Sequence, residues 1–138
     1  MQREILAPVF IALILALILT GGSAEASDKR QKQLENMLKR LDPATRLEQV
    51  CDVAAMSFIG RDHKEFRIDR SVVSALAEPK VKGNTLTGKG GAFRSRGKWY
   101  QYSFTCQATP ERLRVLSFQY KIGDEIPEAQ WSQHGLYQ

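Results

Sequence analysis

Lys89, Arg94, Arg96 and Lys98 lie close together in GKGGAFRSRGKW, interleaved with Gly88, Gly90, Gly91 and Gly97 and followed by Trp99. Arginine and lysine side chains grip phosphate, carboxylate or uronate oxygens, glycines let backbone N–H groups approach the same ligand, and an indole offers a stacking surface. Lys89, Arg94, Arg96, Lys98 and Trp99 are therefore the candidate anion-binding residues. Read as a glycine-rich loop running into an extended strand, the stretch puts Arg94, Arg96 and Lys98 on one side. It is not a nucleotide-binding phosphate loop, because the lysine is misplaced and a strand follows where a helix should. The plainer reading of the same residues is a turn made by glycines and an edge strand kept soluble by arginines.

Other chemistries find less. Nucleophilic catalysis needs a base beside a serine or cysteine, and the two histidines, His63 in a charged stretch and His134 near the C-terminal end, read as exposed polar residues. Neither Gly-x-Ser-x-Gly nor Cys-x-x-Cys occurs, which removes the nucleophile elbow and the usual redox motif. Two distant cysteines and two distant histidines do not make a zinc site, and Asp124, Glu125 and Glu128 lack the alternating oxygen ligands of a calcium loop. Any two carboxylates could serve glycoside hydrolysis, but no pair is distinguished. The reading leans to a protein that is not an enzyme, with no metal and no cofactor.

The chain of 138 residues begins like a secretory signal: Arg3, an apolar run from Ile5 to Leu19, then Gly21, Gly22, Ser23 and Ala24-Glu25-Ala26. Cleavage is expected after Ala26, leaving residues 27–138 as one small domain that is periplasmic or secreted. The alternative is an inner-membrane anchor formed by residues 5–20, although that run is short for a span. Losing Arg3, Glu4 and Glu25 with the leader raises the net charge from +5 to +6. A basic domain outside the cytoplasm meets anionic glycan or lipid headgroups rather than nucleic acid. In that oxidising setting Cys51 and Cys106 read as a disulfide, with two buried thiols as the alternative.

Several elements must position these residues. Residues 27–41 read as a basic amphipathic helix, with Leu34, Met37, Leu38 and Leu41 on its apolar stripe. Asp42-Pro43 then caps and opens a second helix that carries Leu47, Val50, Cys51, Ala54 and Phe58 on one face and stops at Gly60. Residues 71–77 suit a first strand, and 80–87 a weaker second one with a turn at Gly83-Asn84. In the central strand GKWYQYSFTCQAT, Tyr100, Tyr102, Phe104 and Cys106 form an aromatic face, and Gln101, Ser103 and Thr105 a polar one. Residues 113–122 alternate likewise, with Leu116, Phe118, Tyr120 and Ile122 on one face and Ser117, Gln119 and Lys121 on the other, so the two make a hairpin whose aromatic faces coincide. The tail is expected to fold back and cover Trp131.

Three stretches, LDPATRLEQVCDVAAM, AFRSRGKWYQYSFTC and the VLSFQYKIGDEIP pattern with Trp131, resemble the bacterial exported family known as domain of unknown function 930. The resemblance covers most of residues 42–138 and implies an exported domain in which both cysteines belong to the pattern. It implies no activity and no catalytic residue. The resulting expectation is an α+β fold, with N-terminal helices packed on a small twisted antiparallel sheet of about four strands and one helix tied to the sheet by the disulfide. The function read from the clustered charge is a non-enzymatic binding or envelope-associated module for an anionic partner. The alternatives are an inhibitor or assembly partner of another exported protein, with an apolar patch around Trp131 and Tyr137, and a small hydrolase.

Overall fold

The computed structural model describes residues 22–138. The expected leader, and the alternative anchor over residues 5–20, fall mainly or wholly outside the described residues. Among those residues no helix is long and apolar enough to cross a membrane. The chain divides into two compact units at Leu34 and Glu35. Among the described residues the first contributes only the opening stretch of helix α1 (Gly22–Leu38). The second holds everything described below.

Helix α2 (Pro43–Asp62) starts as its sequence requires, with the Asp42 carboxylate accepting from the Ala44 and Thr45 amides at 3.1 Å each. It does not stop at Gly60. A glycine ends a helix by turning left-handed, whereas Gly60 stays helical and the end comes at His63, whose amide donates to the Ile59 carbonyl at 2.8 Å. The buried side of α2 carries Leu47, Val50, Cys51, Ala54, Ala55 and Ile59.

Five antiparallel strands follow, where about four were expected: β1 (Ile68–Val72), β2 (Lys80–Lys82), β3 (Thr85–Ser95), β4 (Lys98–Ala108) and β5 (Val115–Glu125). They run in the order β1-β3-β4-β5, with β2 also paired to β3. Strands β1 and β2 occupy opposite ends of β3, at Ala92–Ser95 and Thr85–Thr87. The expected strand over 71–77 is thus shifted: Val73 to Leu76 form a turn, and the Leu76 amide donates to the Gly90 carbonyl at 2.8 Å.

The main correction concerns Gly88 to Gly97, which is not a loop. It is the second half of β3, closed onto β4 by a two-residue turn in which Arg96 and Gly97 have φ of 51° and 75°. Positive φ at both central residues is the geometry that matches the twist of a tight hairpin. The strand needs glycine because of what its neighbour carries. A Cβ on Gly91 would lie 2.6 Å from the Tyr102 ring, and one on Gly88 2.7 Å from the Phe104 ring.

Tyr102, Phe104, Cys106 and Phe118 are buried on the helix side of the sheet, as the alternation in β4 and β5 predicts, and Phe93 of β3 joins them, whereas Leu116, expected on the same face, is exposed beside an irregularity in the β4–β5 register. Phe104 stacks on Phe118, which meets Phe58 of α2 with centroids 5.7 Å apart. The Cys51–Cys106 disulfide joins α2 to β4 with a Cα separation of 6.0 Å. A smaller cluster of Ala92, Trp99, Ile126, Trp131 and Leu136 lies on the other face, under the folded-back tail. Trp131 is covered as expected, its indole N–H donating to the Ile126 carbonyl at 2.8 Å.

Replacing both cysteines by serine opens a loop of 55 residues and is expected to lower unfolding free energy by about 4 kcal/mol in denaturant titrations. Gly91→Ala pushes a methyl group into a buried, hydrogen-bonded ring and is expected to cost about 1 to 3 kcal/mol by the same measurement. A neutral effect would mean that the ring has room to move.

Candidate functional site

The hairpin separates the five candidate anion-binding residues. Arg94 lies beside the tail, in a bidentate pair with Asp69 at 2.8 and 3.1 Å, and also donates to the Tyr137 carbonyl at 3.3 Å. The guanidinium hydrogen bond holds the Asp69 carboxyl below its ordinary range. Lys98 pairs with Glu125 at 3.2 Å. Arg96 is exposed at the hairpin tip. Trp99 is fully buried, with its N–H donating to the Tyr137 carbonyl at 2.8 Å, so it offers no open stacking surface. Arg94 and Lys98 do not share a side either. The chain reverses between them, and Arg94 pairs with Trp99 while Lys98 pairs with Ser95, one residue out of phase.

Lys89 stands apart from that group. It lies in a bulge of β3 between Gly88 and Gly91, opposite Ser103, and its carbonyl accepts from the Gln101 side chain at 3.0 Å. Across Ser103, on β5, is Lys121. These three residues line a pair of adjoining depressions of about 250 and 310 Å³ on the face of the sheet that turns away from α2. Thr87, Thr105 and Gln119 continue the floor. The lining contains no carboxylate and no histidine, and among the described residues no ion pair involves Lys89 or Lys121.

Sequence reasoning chose Lys89 but missed Lys121. The alternation had put Lys121 on the polar side of β5. Finding their association required knowing that residues 85–95 form a strand beside β4.

A second polar cluster lies inside. Asp52 of α2 accepts from the Val73 amide at 2.7 Å and the Ser71 hydroxyl at 3.2 Å, and Ser71 also bonds the Tyr102 hydroxyl at 2.7 Å. Burial is the main cause that pushes the Asp52 carboxyl up to about 7, with the Glu48 charge adding to it and the two hydrogen bonds opposing. Burial likewise raises the Tyr102 hydroxyl. Ser71 and Asp52 are both buried, and neither depression on the outer face is lined by them. The cluster docks α2 on β1 and the start of the following turn. His63 sits elsewhere, exposed and 3.2 Å from Glu65, so it activates neither Ser71 nor any other nucleophile in the cluster.

The apolar patch expected for an inhibitor is not formed by Trp131 and Tyr137. Trp131 is buried, and the Tyr137 ring lies against the guanidinium groups of Arg70 and Arg94.

Fold and site together define a small α+β domain with one helix stapled to an antiparallel sheet and a polar, cationic depression on the sheet's opposite face. The chain belongs to the family described as Domain of Unknown Function (DUF930), whose model matches residues 38–136. No curated protein and no solved structure gives a significant match.

Asp52 makes a pH prediction whose sign is fixed. Its folded value of about 7 exceeds the ordinary aspartate value of 3.8, so its stabilising contribution is complete below about pH 4 and is lost as pH rises through 7. The difference in unfolding free energy between the protein and Asp52→Asn should therefore shift by up to about 4 kcal/mol between pH 4 and pH 8, in favour of the asparagine variant at the higher pH. A pH-independent difference would show that Asp52 is ionised throughout.

Proposed function

We propose that the domain is a non-enzymatic binding module acting outside the cytoplasm, which takes an anionic partner in the depression on its outer sheet face. Lys89 and Lys121 are the charge anchors, and Ser103 between them supplies a hydroxyl. The observation that carries this reading is the contrast in how the cations are used. Arg94 and Lys98 already have Asp69 and Glu125 as counter-charges, while the two lysines share a concave surface lined by no acid. Cations left without partners in a depression favour an incoming anion, and low-dielectric walls strengthen that attraction.

Export is supported by the signal-like N-terminal sequence and by the disulfide, a bond that persists in oxidising compartments. A hydrolase reading has less support, because hydrolysis by carboxylates needs acids converging on a cleft and the depression is lined by none.

Polyphosphate tests the reading without involving sugar chemistry. Titration of the isotopically labelled protein should shift the amides of Lys89, Ser103 and Lys121, and raising salt should weaken the effect by screening. In K89Q/K121Q the affinity should fall by about a factor of ten or more, since each lost charge contact is worth roughly 1 kcal/mol or more. Arg96→Gln serves as the control and should leave binding near the original. Equal affinity of the double variant and the parent protein would dismiss the site.

A further inference from the structure

The two lysines occupy only one end of a longer polar field. Next to the Lys89, Ser103 and Lys121 row, the strands bring Thr87, Thr105 and Gln119 side by side, and beyond them Thr85, Gln107 and Ser117. Ser117 donates to the Gln107 side-chain oxygen at 3.5 Å, so at least one pair in the outermost row meets directly. Rows on one face of a strand repeat about every 7 Å, and strands are about 4.8 Å apart, so the two lysines stand about 10 Å apart and the field runs about 14 Å away from them. Beyond the lysine row the positions on β3, β4 and β5 are only hydroxyls and amides, each able to donate and accept, while β2 adds Lys80 beside Thr87 and Lys82 beside Thr85 at the edge.

A solvated sheet face normally mixes charges of both signs, because opposite charges across strands are favourable. Here eleven cross-strand positions include four lysines and no acid, in a protein with 15 acidic residues. The other half of the same face is closed by the tail over Ala92 and Trp99. The open half therefore ends at a wall beside the Lys89 and Lys121 row and is free at the Thr85, Gln107 and Ser117 row. A small inorganic anion would occupy one pair of lysines and leave the hydroxyls and amides between Lys121 and the β2 edge without a role.

We propose that the ligand is an acidic oligosaccharide, whose carboxylate or sulfate sits between Lys89 and Lys121 above Ser103 and whose neutral sugars extend over the Thr87, Thr105 and Gln119 row. Sugar hydroxyls donate and accept, which matches threonine hydroxyls and glutamine amides. The inference rests on the anion-binding reading above and narrows it to one class of ligand.

Three probes separate the two claims: polyphosphate, glucuronic acid, and a tetrasaccharide that alternates a uronic acid with a neutral amino sugar. The tetrasaccharide should bind at least about tenfold more tightly than glucuronic acid and shift the amides of Thr87, Thr105 and Gln119 as well as those of the lysine row. T105V/Q119L removes hydrogen-bonding groups and no charge. It should lower tetrasaccharide affinity by about tenfold while leaving polyphosphate binding intact, and K89Q/K121Q should lose both. Polyphosphate binding through the lysines, together with a tetrasaccharide no tighter than glucuronic acid, overturns the glycan proposal and leaves the anion site standing. Lysine-dependent capture by anionic phospholipid vesicles without tetrasaccharide binding also overturns it, in favour of a membrane surface.

Discussion

The bond between Cys51 and Cys106 fixes α2 over one face of the sheet, and strand alternation then settles the place of nearly every side chain in β4. Cys106 shares its face with Phe104 and Tyr102, so those rings must lie beneath the helix, and Gln101, Ser103 and Thr105 must point the other way. A slip of one residue would invert the whole strand, putting three hydroxyl or amide groups into the core. The staple therefore does more than restrict the unfolded chain. It ties the identity of the inner face to a covalent position.

The rings impose a further demand on β3. Tyr102 and Phe104 lie across the strand and occupy space where Gly91 and Gly88 have no side chain. Glycine ordinarily weakens a strand because it leaves nothing to pack. Here the adjacent strand supplies the missing packing, and Tyr102 is held in place by Ser71 and Asp52 from the opposite side. The buried carboxyl, the ring and the glycine are parts of one packing solution.

That nonlocality explains what could be read from the chain and what could not. The patterns of α2, β4 and β5 are local, so the stapled helix, the aromatic face and the polar face were legible. The glycines of β3 are explained by rings more than ten residues further on, and locally they resemble a loop. Trp99 looked available because its cover, Ile126, Trp131 and Leu136, arrives from the tail. Lys121 stayed unnoticed because its relation to Lys89 exists only once three strands are laid side by side. Composition identified a basic cluster, while register decided which of its members keep their charge for another molecule.

That decision follows from where the acids fall. Asp69 lies one residue from the β1 position paired with Arg94, and Glu125 ends β5 next to the hairpin that carries Lys98, so Arg94 and Lys98, on either side of the hairpin tip, meet carboxylates from both neighbouring strands. Further along, the facing positions are Ser103, Thr105 and Gln119, which carry no charge. An exposed ion pair contributes little to stability, but it does reduce the field that a cation presents to solvent. The same hairpin thus has Arg94 and Lys98 neutralised near an end closed by the tail, with Arg96 exposed at the tip, and an un-neutralised middle open to solvent. Selective neutralisation of this kind places the attraction for an anion on the sheet face, away from the glycine-rich sequence that first suggested it.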